Sequence, residues 1–236
     1  MSFNNLQKQL DRFEDEVFFD RVQRRKAFLL SDSKGRYLKD VVQPLERIVD
    51  IVYKGGAKID DAVLYQDLRQ KITGLDNPLI LIWLGTCEFT KKTGRYISLH
   101  TEISVSDVLD KLGNLKANIL DVNSSAEILI LKCPAYSIEH YNKYHRHPDS
   151  ESFHDDDSIL QDKIQDLNDK LVDLNTNFPG SNFSLDLIKN TKVNKGRRSK
   201  YVFMFKDLYT DGIHPCPTLS MVWLRKIQKI VCKLCF

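Results

Sequence analysis

Five short apolar runs punctuate the chain: AFLLS at 27–31, IVDIVY at 48–53, PLILIWLG at 78–85, EILILK at 127–132 and YVFMF at 201–205. Each is four to eight residues long and rich in Ile, Leu, Val or aromatics. Runs of this kind read as strands buried on both faces, the mark of a parallel sheet. The segments between them change period. Val105, Val108, Leu109, Leu112, Leu115 and Ile119 predict a helix over 104–119. Leu160, Ile164, Leu167, Leu171 and Leu174 predict another over 156–175, opened by Asp155, Asp156 and Asp157, where carboxylates complement the helix dipole. That stripe also fits a heptad seam, but two to three heptads are few for a coiled coil. TLSMVWLRKIQKIV at 218–231 predicts a last amphipathic helix with Thr218 as its N-cap. Leu6, Leu10, Phe13, Val17, Phe18 and Val22 suggest a helical lead-in over 1–26, packed on a domain that runs from 27 to 236.

Strand and helix in alternation imply a doubly wound α/β sheet. In such sheets the reactive site lies beyond the carboxyl ends of the strands. Those ends are Ser31-Asp32-Ser33, Lys54-Gly55-Gly56-Ala57 and Gly85-Thr86-Cys87-Glu88. After the fifth run the chain passes through 206–210 to Asp211-Gly212-Ile213-His214-Pro215. Four polar or glycine-rich segments are therefore expected on one rim.

Composition narrows the class. Net charge is +3, from 35 basic and 32 acidic residues, so charge alone makes no case for nucleic acid. An odd number of cysteines (Cys87, Cys133, Cys216, Cys232, Cys235) without framework spacing fits a reducing compartment. The charged first 25 residues hold no apolar signal region, and no apolar run approaches the ~20 residues of a membrane span. A soluble, intracellular, cytoplasmic protein is expected.

A hydrolytic nucleophile needs a hydroxyl, a base, a group that orients the base, and donors for the oxyanion. Ser33 offers the hydroxyl, His214 the base and Asp211 the orienting carboxylate. Gly56 offers an unobstructed backbone N–H. These residues resemble the blocks of the GDSL-type esterases, or SGNH hydrolases. Ser31-Asp32-Ser33 stands for Gly-Asp-Ser, Gly56 for the second-block glycine, and Gly85-Thr86-Cys87-Glu88 for Gly-x-Asn-Asp. Asp211-Gly212-Ile213-His214 is the Asp-x-x-His block intact. SDSKGRYL together with IWLGTCEFT also resembles the variant in animal open reading frames, some of retrotransposon origin. The resemblance implies a three-layer, flavodoxin-like α/β/α domain with a five-stranded parallel sheet. It also implies ester hydrolysis, of an acetyl ester among others, through an acyl-enzyme on Ser33. Ser33, Gly56 and the residue at position 87 would form the oxyanion hole. No cofactor and no metal are implied, and the partner is a small-molecule or acylated substrate.

Two departures stand out. Ser31 replaces the first-block glycine. Cys87 replaces an asparagine whose amide donates to the oxyanion in the family. A thiol is a weak donor, and losing one oxyanion donor typically costs about 3–4 kcal/mol. Cys87 reads as a small buried hydrophobe or as a redox-sensitive thiol beside the site. The rival to the enzyme is an SGNH-fold binding module, with the basic cluster VNKGRRSK at 193–200 touching nucleic acid.

Other features carry less. His145, His147 and His154 in the stretch 141–157 could ligate a metal, but their spacing fits no standard site, and a solvated loop covering the rim is expected. Asn142 in that stretch could replace the missing amide donor. Cys232 and Cys235 form a CxxC with no second pair.

Overall fold

The computed structural model describes residues 7, 8, 10, 22–42, 48–175 and 208–236, and the backbone alone of 189–195 and 198–203. Strands β1 (Ala27–Ser31), β2 (Asp50–Tyr53), β3 (Leu79–Trp83) and β6 (Glu127–Ile130) form one parallel sheet in the order β2-β1-β3-β6. The two central strands are buried at every position. Their side chains alternate between faces, as the two-residue strand period requires. Phe28, Leu30, Ile80 and Ile82 pack with Leu68 of α2 (Ala62–Ile72), Leu112 of α3 (Val105–Val122) and Ile164 of α5 (His154–Leu174). Leu29, Leu79, Leu81 and Trp83 pack on the other side, with Leu38 of α1 (Ser33–Val41) and Trp223 and Ile227 of α6 (Pro217–Cys235). The result is a three-layer α/β/α sandwich.

Local chemistry sets the helix starts. Asp61 accepts from the Val63 and Leu64 N–H groups at the head of α2. Ser104 and Asp107 form a reciprocal capping box on α3. α6 starts on Pro217 after Cys216, so Thr218 lies inside the helix rather than capping it; proline at the first position lacks only an N–H that would be unpaired anyway. Gly35 lets α1 sit close on the sheet, because a Cβ there would lie 2.7 Å from Tyr53 Cβ.

The expected fifth sheet strand at 201–205 is a correction. Tyr201–Phe203 belong to β8 (Arg198–Phe203), which pairs antiparallel with β7 (Lys189–Lys195) in a separate two-stranded sheet; residues 204–205 lie outside the described residues. A physical reason lies on the outer edge of β6. The Ile130 N–H donates to Asn175 Oδ1 at 2.9 Å, and the Ile130 carbonyl accepts from Asn175 Nδ2 at 2.8 Å. Just beyond, Asn168 of α5 holds both backbone groups of Cys133 in the same way, at 2.7 and 2.8 Å. Asparagine amides thus take the positions a neighbouring strand would fill. In Asn175→Ala these two groups lose their partner, and stability should fall by about 2–4 kcal/mol in a urea titration with unchanged slope.

Other expectations also shift. The helix expected over 156–175 is present as α5, and its Leu160, Ile164, Leu167 and Leu171 are core residues facing the sheet. Gln7, Lys8 and Leu10 of the lead-in are helical and Leu10 is buried, whereas 22–26 are not helical and Val22 is exposed; the rest of it lies outside the described residues. The stretch 141–157 is no plain loop: it holds the end of α4 (Ile138–Tyr144), a 3-10 turn at Glu151–Phe153 and the start of α5. A hairpin of β4 (Thr90–Thr93) and β5 (Tyr96–Leu99) follows β3, unannounced by any long apolar run.

Candidate active site

β2 and β3 flank β1 on opposite sides, so the winding direction reverses between β1 and β3. A crevice at the carboxyl ends of these two strands is where doubly wound sheets bind ligands. β1 ends at Ser31, Asp32 caps α1 by accepting from the Lys34 N–H at 2.9 Å, and Ser33 is the first helical residue. Asp32 is therefore the N-cap, and the Ser33 hydroxyl is not used for capping.

The second half of the site comes from the segment before α6. The Thr210 N–H donates to the His214 carbonyl at 2.8 Å and the Cys216 N–H to the Leu208 carbonyl at 2.9 Å, closing a tight loop around residues 211–213. Gly212 has φ 89°, and a Cβ there would lie 2.7 Å from His140 Cβ and 2.9 Å from the Tyr141 nitrogen. Only glycine meets both demands. The Ser137 N–H donates to the Gly212 carbonyl at 2.9 Å, fastening the loop to the start of α4. The helix start is itself held by Asp157, which accepts from the Ser137 hydroxyl and from the Ile138 N–H.

Three side chains meet across these segments. His214 Nε2 lies 3.2 Å from Ser33 Oγ, and His214 Nδ1 lies 2.6 Å from Asp211 Oδ2. Asp211 Oδ1 accepts from the Ile213 and His214 N–H groups at 3.0 and 2.8 Å. Burial alone would raise the Asp211 carboxyl, but the hydrogen bonds it accepts from the His214 ring and from the His214 and Ile213 N–H groups outweigh it and hold the carboxyl below its ordinary value. Tyr37, one turn along α1 from Ser33, stacks on the His214 ring with centroids 5.0 Å apart and planes 29° from parallel. Carboxylate, imidazole and hydroxyl stand in one hydrogen-bonded line, an arrangement able to move a proton off the hydroxyl.

Beside this line is a cavity of about 30 Å³ bounded by Asp32, Ser33, Lys34, Thr86, Cys87, Pro134, Tyr136, Tyr209 and Ile213. Lys34 is only 5% exposed. Its ammonium pairs with Asp32 Oδ2, donates to Thr86 Oγ1 at 3.2 Å and lies 5.2 Å from the centre of the Trp83 ring. Burial alone would lower the Lys34 pKa, but the Asp32 charge more than offsets this, so the ammonium stays charged. The Cys87 thiol donates to Asp32 Oδ2 at 3.5 Å. Burial pushes its pKa up, with the Asp32 charge adding to the effect, so it remains a protonated thiol and a poor nucleophile. The Tyr136 hydroxyl donates to the Thr86 carbonyl at 2.8 Å and fixes the turn after β3.

The other expected residues fall elsewhere. Gly56, at φ 67°, sits in an exposed turn after β2 with nothing within 4 Å of a Cβ position, and it does not line the cavity. Asn142 does not replace the missing amide: its Oδ1 accepts from the Ile97 N–H at 3.0 Å and its Nδ2 donates to the Ile97 carbonyl at 2.7 Å. The three histidines of 141–157 are engaged separately. His145 packs on Tyr141, His147 sits between Tyr96 and Phe153, and His154 meets Glu139 at 3.2 Å. Among the described residues no group of three or more metal-ligating side chains gathers. Cys232 and Cys235 are buried in α6, and neither is in a disulfide. Of the basic cluster 193–200, only strand backbone lies among the described residues. Among the described residues no helix is long and apolar enough to cross a membrane.

Sequence reasoning missed Lys34 and Tyr37. The second had a signal, since it lies four residues after Ser33 in a chain that turns helical there. The first had none, because a lysine beside a glycine and an arginine reads as surface.

No family model matches the chain, and no curated protein matches it. Among solved structures, a Bacteroides fragilis protein assigned as an acylhydrolase aligns with a TM-score of 0.57 and 14% identity, over 99% of this chain and 98% of its own. A Streptococcus pneumonia protein assigned as a platelet activating factor aligns with a TM-score of 0.55 and 16% identity, over 97% and 93%. Likeness at such identities is likeness of fold: the chain has the SGNH hydrolase fold that its four sequence blocks resemble.

Proposed function

We propose that the protein hydrolyses a short-chain carboxylic ester, with acetyl the favoured acyl group, through an acyl-enzyme on Ser33. The observation that carries this reading is the line from Asp211 through His214 to Ser33, drawn from segments 181 residues apart. Ser33 Oγ attacks the ester carbonyl while His214 Nε2 takes its proton. The imidazolium, held by Asp211, returns that proton to the leaving alkoxide. Water then repeats the sequence on the acyl-enzyme. The Ser33 N–H, one of the unpaired donors of a helix's first turn, serves the oxyanion. The cavity beside Ser33 is small, which favours a short acyl chain. The reading takes 27–236 as one domain of an intracellular protein whose substrate is a small or acylated molecule. The direct test is labelling by a fluorophosphonate probe, which should mark the wild type and not Ser33→Ala.

A second reading, an SGNH-fold binding module with the basic segment 193–200 touching nucleic acid, draws on Cys87, whose thiol donates to Asp32 in place of an amide serving an oxyanion. Cys87→Asn separates the two. An amide donor that acts only in the transition state should raise kcat about tenfold to a hundredfold with little change in KM. The assay is a nitrophenyl acetate, with circular dichroism as the folding control. An unchanged or lower kcat in a folded variant would count against an oxyanion position at residue 87.

A further inference from the structure

Lys34 has no part in the mechanism above, yet it is the most unusual side chain near the nucleophile. Lysine is almost never fully buried unless it is paired. Here it directly follows Ser33, lies under the surface and lines the same small cavity. An ammonium has three protons to donate. One goes to Asp32 Oδ2 and one to Thr86 Oγ1; the third has no hydrogen-bond acceptor among the described residues, and the Trp83 ring centre lies 5.2 Å from the nitrogen. Asp32 is also held by the Lys34 N–H, by Thr86 Oγ1 at 3.4 Å and by the Cys87 thiol, so the anion that anchors the ammonium is itself fixed. Position 87 thus spends its only proton on that anchor rather than on a substrate.

We propose that the Lys34 ammonium supplies the oxyanion stabilisation that Cys87 lacks, acting as a catalytic residue that touches the carbonyl oxygen of the ester bound at Ser33. The proposal rests on the esterase reading. As the Ser33 Oγ–carbon bond forms, the carbonyl π pair moves onto oxygen and the serine proton passes to His214. The third Lys34 proton hydrogen-bonds the new oxyanion. When the tetrahedral adduct collapses, the C=O bond re-forms, the alkoxide leaves and takes its proton from His214. Lys34 keeps all three protons throughout. Its effect comes from a fixed charge in a confined site, where such a donor counts for more than in water. Asp32 keeps that charge in place between turnovers.

Lys34→Met alone would leave Asp32 buried and uncompensated, and it could fail to fold for that reason. The decisive variant is therefore Asp32→Asn/Lys34→Met, which removes both charges and keeps a good helix cap at 32. Wild type and this double variant would be compared for melting temperature, for kcat and KM on nitrophenyl acetate, and for the rate of fluorophosphonate labelling at Ser33. The proposal expects a folded double variant with kcat about a hundredfold lower, KM within a few-fold of wild type, and labelling slowed in parallel. Adding Cys87→Asn to it should recover part of kcat, because an amide then faces the same oxygen. A folded double variant with wild-type kcat overturns the role of Lys34 and leaves the esterase reading standing. Wild type that neither turns over nitrophenyl acetate nor labels at Ser33 overturns both.

Discussion

Replacing Ser33 or His214 by alanine is expected to lower kcat on nitrophenyl acetate by about 10⁴-fold or more, and replacing both should lower it little further. The non-additivity is the informative part. His214 Nε2 lies 3.2 Å from Ser33 Oγ, so each residue is useful only through the other. Without the base the hydroxyl stays protonated, and without the hydroxyl the base has nothing to activate. Two losses that multiplied would mean that the residues act separately, and the hydrogen-bonded line would then be structural. The measurement needs the three variants side by side, with melting curves to show that each is folded. Neither substitution removes a core contact, so large differences in stability are not expected.

Asp211→Asn should cost kcat a similar factor, about 10⁴, for a different reason. The carboxylate accepts from His214 Nδ1–H at 2.6 Å and so keeps Nε2 free to take a proton. An asparagine whose Oδ1 still receives the Ile213 and His214 N–H groups turns its Nδ2 toward the ring. The ring must then accept at Nδ1 and carry its proton on Nε2, the wrong tautomer for a base facing Ser33. The substitution also has a signature in acid. The Asp211 pKa is depressed in the folded chain. Its contribution to stability is complete above the ordinary carboxylate value, ~3.9, and is lost as pH falls through the depressed folded value. Asp211→Asn should therefore be less stable than wild type at neutral pH and should lose less on acidification through that window. A variant with wild-type kcat would remove Asp211 from the mechanism.

The central strands and the reactive segments were legible for one reason: both are written in contiguous residues. LILIW can be little other than a strand buried on both faces, and Asp211-Gly212-Ile213-His214 carries its geometry in four positions. α1 was harder to see. Of SKGRYLKDV only Lys34, Gly35 and Leu38 are buried, so no apolar stripe announces it. The limit of the sheet was illegible because it is set by side chains far along the chain. Asn168 and Asn175 close the β6 edge from 35 and 45 residues away, and a helix with an asparagine on its buried face looks like any other. YVFMF had the composition of a sheet strand, but composition does not choose a partner, and β8 found β7. Lys34 was missed because its burial depends on Asp32, Thr86 and Trp83 arriving together, two of them from another strand end.

The distance in sequence between Ser33 and His214 also sets when the site can exist. A ribosome adding about 5–20 residues per second needs roughly 10–40 s to make the 181 residues that separate them. During that interval the serine has neither base nor orienting carboxylate, and a nascent chain cannot acylate itself. The Asp211–His214 loop is followed by α6, whose Cys235 carbonyl accepts from the Arg24 N–H at 2.7 Å just ahead of β1. On the proposed reading, esterase turnover during refolding would appear only after the Asp211–His214 loop has reached Ser33.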